Sequence, residues 1–150
     1  KAAKIDAGHK TTSAIYWAVG SEDFNEINKV SVDIDRLLTC DVTFSLPKTV
    51  LPTALIRFDP SDHEIERNSE QAKVETFALI SGKNEKHFDL IPAIREGMIE
   101  ISPDLEVKCI NKSVYLEISG SDPWMVLELK TLGLPSDFDL CEIHVTASWE

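Results

Sequence analysis

The sequence predicts an all-β protein: an antiparallel two-sheet β-sandwich, jelly-roll-like, with about ten strands and little helix. Three observations carry this. Apolar residues recur with period two along most of the chain, which places every second side chain on one face of a sheet. Clusters of Gly, Pro, Ser, Asn and Asp separate these runs at short intervals. Only one stretch, LIPAIREG at 90–97, has the features of a helix, opening near Pro92 and closing at Gly97.

Each element follows from its own pattern. SAIYWAV at 13–19 reads as a strand in which only one of Tyr16 and Trp17 can face the core. KVSVDI at 29–34 aligns Val30, Val32 and Ile34, and DVTFSL at 41–46 aligns Val42, Phe44 and Leu46. Residues 53–58, 73–80, 98–101 and 105–110 are further strands, separated by SGKNEK at 81–86 and SPD at 102–104. SVYLEI at 113–118 directs Val114, Leu116 and Ile118 inward, and residues 125–131 follow the turn SGSDP at 119–123. The last run is the most regular: Cys141, Ile143, Val145, Ala147 and Trp149 point one way, and Glu142, His144, Thr146 and Ser148 the other. The polar first ten residues read as a frayed lead-in.

A chain of 150 residues fits a single domain, residues 1–150, and its 43% hydrophobic and 27% charged composition is that of a globular protein. Because it starts at Lys1 without a signal-peptide pattern, it reads as a domain excised from a longer protein. A net charge of -11 repels phosphate backbones and anionic lipid, so nucleic acid is not an expected partner. No apolar run approaches the roughly 20 residues of a membrane helix, and membrane insertion is not expected either. Cys40, Cys109 and Cys141 are odd in number and far apart, each beside apolar residues. They read as small core side chains in a reducing, cytoplasmic compartment.

No Gly-rich phosphate loop, H-E-x-x-H or G-x-S-x-G occurs, and the four histidines are scattered. His144 reads as a solvated histidine, and paired acids in so acidic a chain do not by themselves support glycoside hydrolysis. No cofactor is expected. The acidic turn carrying Asp59, Asp62 and Glu64 offers hard oxygen ligands for a structural calcium, although it lacks the spacing of an EF-hand loop. Aromatic faces are the better lead, because a sugar ring packs its C–H face on them while nearby polar groups receive its hydroxyls. Tyr115, Trp124 and Trp17 are the candidate platforms, with Asp122 and Glu117 as hydroxyl acceptors.

YWAVGSEDFNEINKVSV at 16–32, VTFSLP at 42–47 and LIRFDPSD at 55–62 together resemble a domain of bacterial multidomain glycosyltransferases and polysaccharide-biosynthesis proteins. Phe24, Glu26 and Asn28 match one of its elements, and Arg57, Phe58, Asp59 and Pro60 another; the similarity covers about the first half of the chain. The resemblance implies an accessory, galactose-binding-like sandwich, similar to carbohydrate-binding modules and not itself catalytic. A glycan and the neighbouring catalytic domain of the same chain are then the expected partners. The alternative is a structural or interaction domain that packs on that neighbour without binding sugar.

Within LIRFD, Leu55, Arg57 and Asp59 share one strand face. An arginine there needs an acidic partner, since an uncompensated buried charge costs several kcal/mol. Asp59 is nearest, and Glu26 is the longer-range choice. Arg57 is therefore expected to be a structural clamp tying this strand to the segment around Phe24.

Overall fold

The computed structural model describes residues 10–20, 23–35, 38–61, 70–82 and 85–149, so almost all of the polar lead-in lies outside the described residues. Two antiparallel sheets pack against each other. The chain runs β1 (Lys10–Ala18), β2 (Lys29–Asp35), β3 (Thr39–Val50), β4 (Leu55–Asp59), β5 (Glu70–Ser81) and β6 (His87–Asp89). After the short helix α1 (Ile91–Arg95) come β7 (Glu100–Ile101), β8 (Leu105–Ile110), β9 (Ser113–Ile118), β10 (Met125–Glu128) and β11 (Leu140–Trp149). The first sheet has the order β2-β1-β4-β10-β7. The second has β3-β11-β5-β9-β8, with β6 pairing on β5.

The alternating patterns become the core. Ile15 and Trp17 of β1 and Ile56 and Phe58 of β4 face Phe44 of β3, Phe77 and Leu79 of β5, and Ile143 and Val145 of β11. Phe58 meets Phe77 edge-on with centroids 5.1 Å apart, and Phe44 at 6.3 Å, so three rings join the two sheets. Pro47 lies within β3, which is tolerated because β3 is an edge strand and needs no ladder donor on its open side.

The end of β4 is held by polar groups inside the sandwich. The Pro60 carbonyl accepts hydrogen bonds from Ser13 Oγ and, at 2.8 Å, from Trp149 Nε1, and the buried hydroxyls of Thr11 and Ser61 lie 2.8 Å apart. These bonds satisfy groups that β4 would otherwise bury unpaired as it breaks at Pro60.

Four expectations need correction. Cys141 does not follow the core face of β11: the register shifts between Leu140 and Glu142, so Leu140 takes the buried position and Cys141 is half-buried. Nor is Cys109 a core residue, whereas Cys40 packs against the core from its margin. Cys40 is half-buried and Cys109 exposed on the edge strand β8; all three are free thiols. The run at 125–131 is a strand only through Glu128, after which Leu129–Thr131 forms a 3-10 turn. Finally, β6 was not expected, because three residues are too few for alternation to register. Helix α1 falls where Pro92 and Gly97 predicted it, and Gly97 has φ +77°, a backbone state that favours glycine. No helix among the described residues is long and apolar enough to cross a membrane.

Candidate functional site

Strand register assembles the candidate site on the outer face of the first sheet. Lys29 of β2 pairs with Tyr16 of β1, Tyr16 with Arg57 of β4, Arg57 with Val126 of β10, and Val126 with Glu100 of β7. Directly paired residues project to the same side, so these five form a row across the sheet. Along β10, buried Pro123, Met125 and Leu127 alternate with half-buried Trp124, Val126 and Glu128, which puts Trp124 on this outer face too.

Arg57 is committed to Asp59. Its Nε donates to Oδ1 and its Nη2 to Oδ2, both at 2.8 Å, and the Asp59 side chain is only 3% exposed. The bidentate bond, followed by the attraction of the carboxylate, holds the guanidinium pKa above its ordinary value. The guanidinium carbon also lies 4.1 Å from the Tyr16 ring centroid and 5.6 Å from that of Phe24. Tyr16 is therefore only 4% exposed although it points away from the core. Asp59 is thus the direct partner of Arg57. Glu26, the longer-range choice, is reached through Tyr16, whose hydroxyl donates to Glu26 Oε2 at 3.0 Å.

The segment 23–28 is a latch over this cluster. Asn25 Oδ1 accepts the backbone N–H groups of Ile27 and Asn28, bending the chain so that Glu26 returns to the sheet. Lys29 Nζ donates to Glu26 Oε1 at 3.0 Å. That bond first, and the Tyr16 hydroxyl second, hold the Glu26 carboxyl below the usual carboxylate range. A depressed folded pKa means that the latch contributes fully above the ordinary glutamate range and fades as pH falls through the lowered folded value. A Glu26→Gln variant is accordingly expected to differ from wild type at neutral pH and to converge with it in acid. Urea unfolding across that range checks this, and a pH-independent difference would remove the latch's electrostatic role. The effect is small, because the Glu26 side chain is 75% exposed.

Trp124 stands on a pinned loop. Ser102 Oγ donates to the Asp122 carbonyl at 2.8 Å and accepts the Trp124 N–H at 3.2 Å, while Asp104 Oδ2 accepts the Asp122 N–H at 3.0 Å. Gly120 leaves room beside it: a Cβ there would come within 2.3 Å of the Asp104 carboxylate and displace it. Beyond Trp124 the face opens into a concavity of about 450 Å³, bordered by 97–100 on one side and by Val126, Glu128 and Thr131 on the other, with Leu55 beneath.

The other expected platforms lie elsewhere. Trp17 belongs to the core at 3% exposure and presents no face for stacking; of the adjacent pair, it is Tyr16 that points outward. Tyr115 and Glu117 are half-buried on the outer face of the second sheet. There Lys73 Nζ sits 5.9 Å from the Tyr115 centroid, and Lys108 Nζ bonds Glu117 at 3.1 Å. Tyr115 and Trp124 therefore belong to different sheets. His144, with a side chain 39% exposed, contacts Glu142 at 3.1 Å. Asp62 and Glu64 of the calcium turn lie outside the described residues, and Asp59 already serves Arg57. Among the described residues, no group of three His, Cys, Asp or Glu side chains is placed to hold a metal ion.

Sequence reasoning left open which of Tyr16 and Trp17 points outward, and it missed Lys29 and the lining of the concavity. A signal existed: Leu55 and Val126 are apolar at positions whose alternation sends them outward.

The geometry defines a β-sandwich with one decorated outer face. No known protein family matches the chain, and neither a curated protein nor a solved structure matches it.

Proposed function

We propose that this chain is a non-catalytic, carbohydrate-binding-like accessory module, of the kind carried by bacterial glycosyltransferases and polysaccharide-biosynthesis proteins. The observation that supports it best is Trp124: a half-buried aromatic on a backbone fixed by Ser102, next to Asp122 and one outward step along β10 from the concavity. A fixed aromatic face beside oxygen acceptors is what a pyranose ring and its hydroxyls require. The surface is open, so affinity should be modest.

Glycan-array screening followed by calorimetric titration tests the reading. Trp124→Ala is expected to weaken binding about tenfold while Tyr115→Ala leaves it unchanged. Silence across bacterial polysaccharides would sink the reading, and loss in Tyr115→Ala alone would move the site to the second sheet.

A second reading, a structural domain that packs on a neighbouring catalytic domain, is favoured by the exposed apolar residues Met98 and Ile101 at the β7 edge and Ile27 beside the β2 edge. Met98 and Ile101 are 39% and 40% exposed and Ile27 87%, at the two opposite edges of the first sheet. Under that reading, fusion to the neighbour would cover them and the isolated domain would bind no glycan.

A further inference from the structure

The concavity beside β10 has a shape and a charge of its own. β7 pairs with β10 only at Ile101–Met125 and Glu100–Val126, and no further pairing joins them beyond Val126. The space bordered by 97–100 and by Val126–Thr131 is the concavity. Its apolar lining comes from Leu55, Val126, Met98 and Ile99, and its polar groups include the carboxylates of Glu100 and Glu128 and the hydroxyl of Thr131. Among the described residues no Lys or Arg lines it, although Lys130 at its rim pairs with Glu128. The second concavity, about 490 Å³ near α1, differs in this respect: there Arg95 and Lys112 accompany Glu75, Asp89 and Glu96.

Resting on the glycan reading above, we propose that the wedge beside β10 takes a cationic sugar unit, an amino sugar with a free ammonium group. The ring's C–H face would lie on Leu55, Val126 and Met98, and the ammonium would donate to Glu100 and Glu128. Charge complementarity carries the choice. Two carboxylates over an apolar floor disfavour a uronic acid and leave a neutral sugar without compensation for their partial desolvation, whereas an ammonium supplies it. Lys130 Nζ bonds Glu128 Oε1 at 3.2 Å, but that pair is exposed, 65% and 42%, and a ligand ammonium exchanges with it at little cost. The net charge of -11 adds long-range attraction for the same class of ligand.

Calorimetric titration with glucosamine oligomers and with their N-acetylated counterparts tests this, because acetylation removes the charge and keeps the ring. The glucosamine oligomer is expected to bind at least about tenfold tighter, and the Glu100→Gln, Glu128→Gln double variant to lose that preference. The double variant Glu106→Gln, Glu117→Gln, which removes the same charge from the second sheet, should keep it. Equal binding of both oligomers would overturn the charge assignment while leaving the accessory-module reading intact. Equal loss in the two double variants would reduce the effect to general charge attraction and remove the wedge as the site. Failure of both oligomers together with a blank glycan array would remove the module reading as well.

Discussion

Replacing Arg57 with methionine is expected to lower the free energy of unfolding by about 2–3 kcal/mol and to leave glycan binding unchanged. The Asp59 side chain is 3% exposed and receives two charge-assisted hydrogen bonds from Arg57, whose own side chain is 22% exposed. Methionine conserves much of the aliphatic stem but withdraws the guanidinium from the Tyr16 ring and from a desolvated carboxylate. Breaking such a pair from one side costs more than the pair itself contributes, because the remaining charge is left in a medium that solvates it poorly. The exposed edge of the guanidinium puts the expected loss at or just below the low end of the range for fully buried pairs. Adding Asp59→Asn to Arg57→Met should recover part of it, since the stranded charge is then gone. Denaturant unfolding of the two single variants and the double variant measures the coupling. If Arg57→Met proved as stable as wild type but bound ligand more weakly, Arg57 would be a ligand arginine and the clamp would be wrong.

The same residue shows how far the sequence carries. Period two in LIRFD was enough to put Leu55, Arg57 and Asp59 on one face, and burial then demanded an acid for Arg57. Which acid answered depends on distances that only the fold sets. Asp59 lies two residues along the same strand, whereas Glu26 needs the Asn25 turn to bring it back over Tyr16. Strands were legible where alternation ran for five or more residues, as in β9 and most of β11, and illegible in β6, which is three residues long. The site was harder to read because aromatic residues look alike in a sequence. Trp17 and Trp124 both sit in or beside strand-like runs, yet one parity leads into the core and the other onto the outer face. The wedge beside β10 depends on where β7 stops pairing, which no local pattern encodes.

A larger loss is expected at the centre of the sandwich. Phe58 is fully buried and touches Phe77 edge-on at an interplanar angle of 83° and Phe44 at 78°, so one ring from the first sheet is held between two from the second. Phe58→Ala is expected to cost about 3–5 kcal/mol, the transfer free energy of the ring together with the cavity it leaves. Both neighbours lie on long strands of the second sheet, β3 and β5, so they cannot easily collapse into the space. Phe58→Leu fills most of the volume and should cost about 1–2 kcal/mol, chiefly the lost edge-to-face contacts. Because β4 also carries Leu55 beneath the wedge and Arg57 in the clamp, Phe58→Ala should loosen both at once, whereas Arg57→Met should leave the wedge intact. Urea midpoints for the three variants, taken with binding to the glucosamine oligomer, separate these effects. Equal stability of Phe58→Ala and wild type would mean that the two sheets are not joined through this ring.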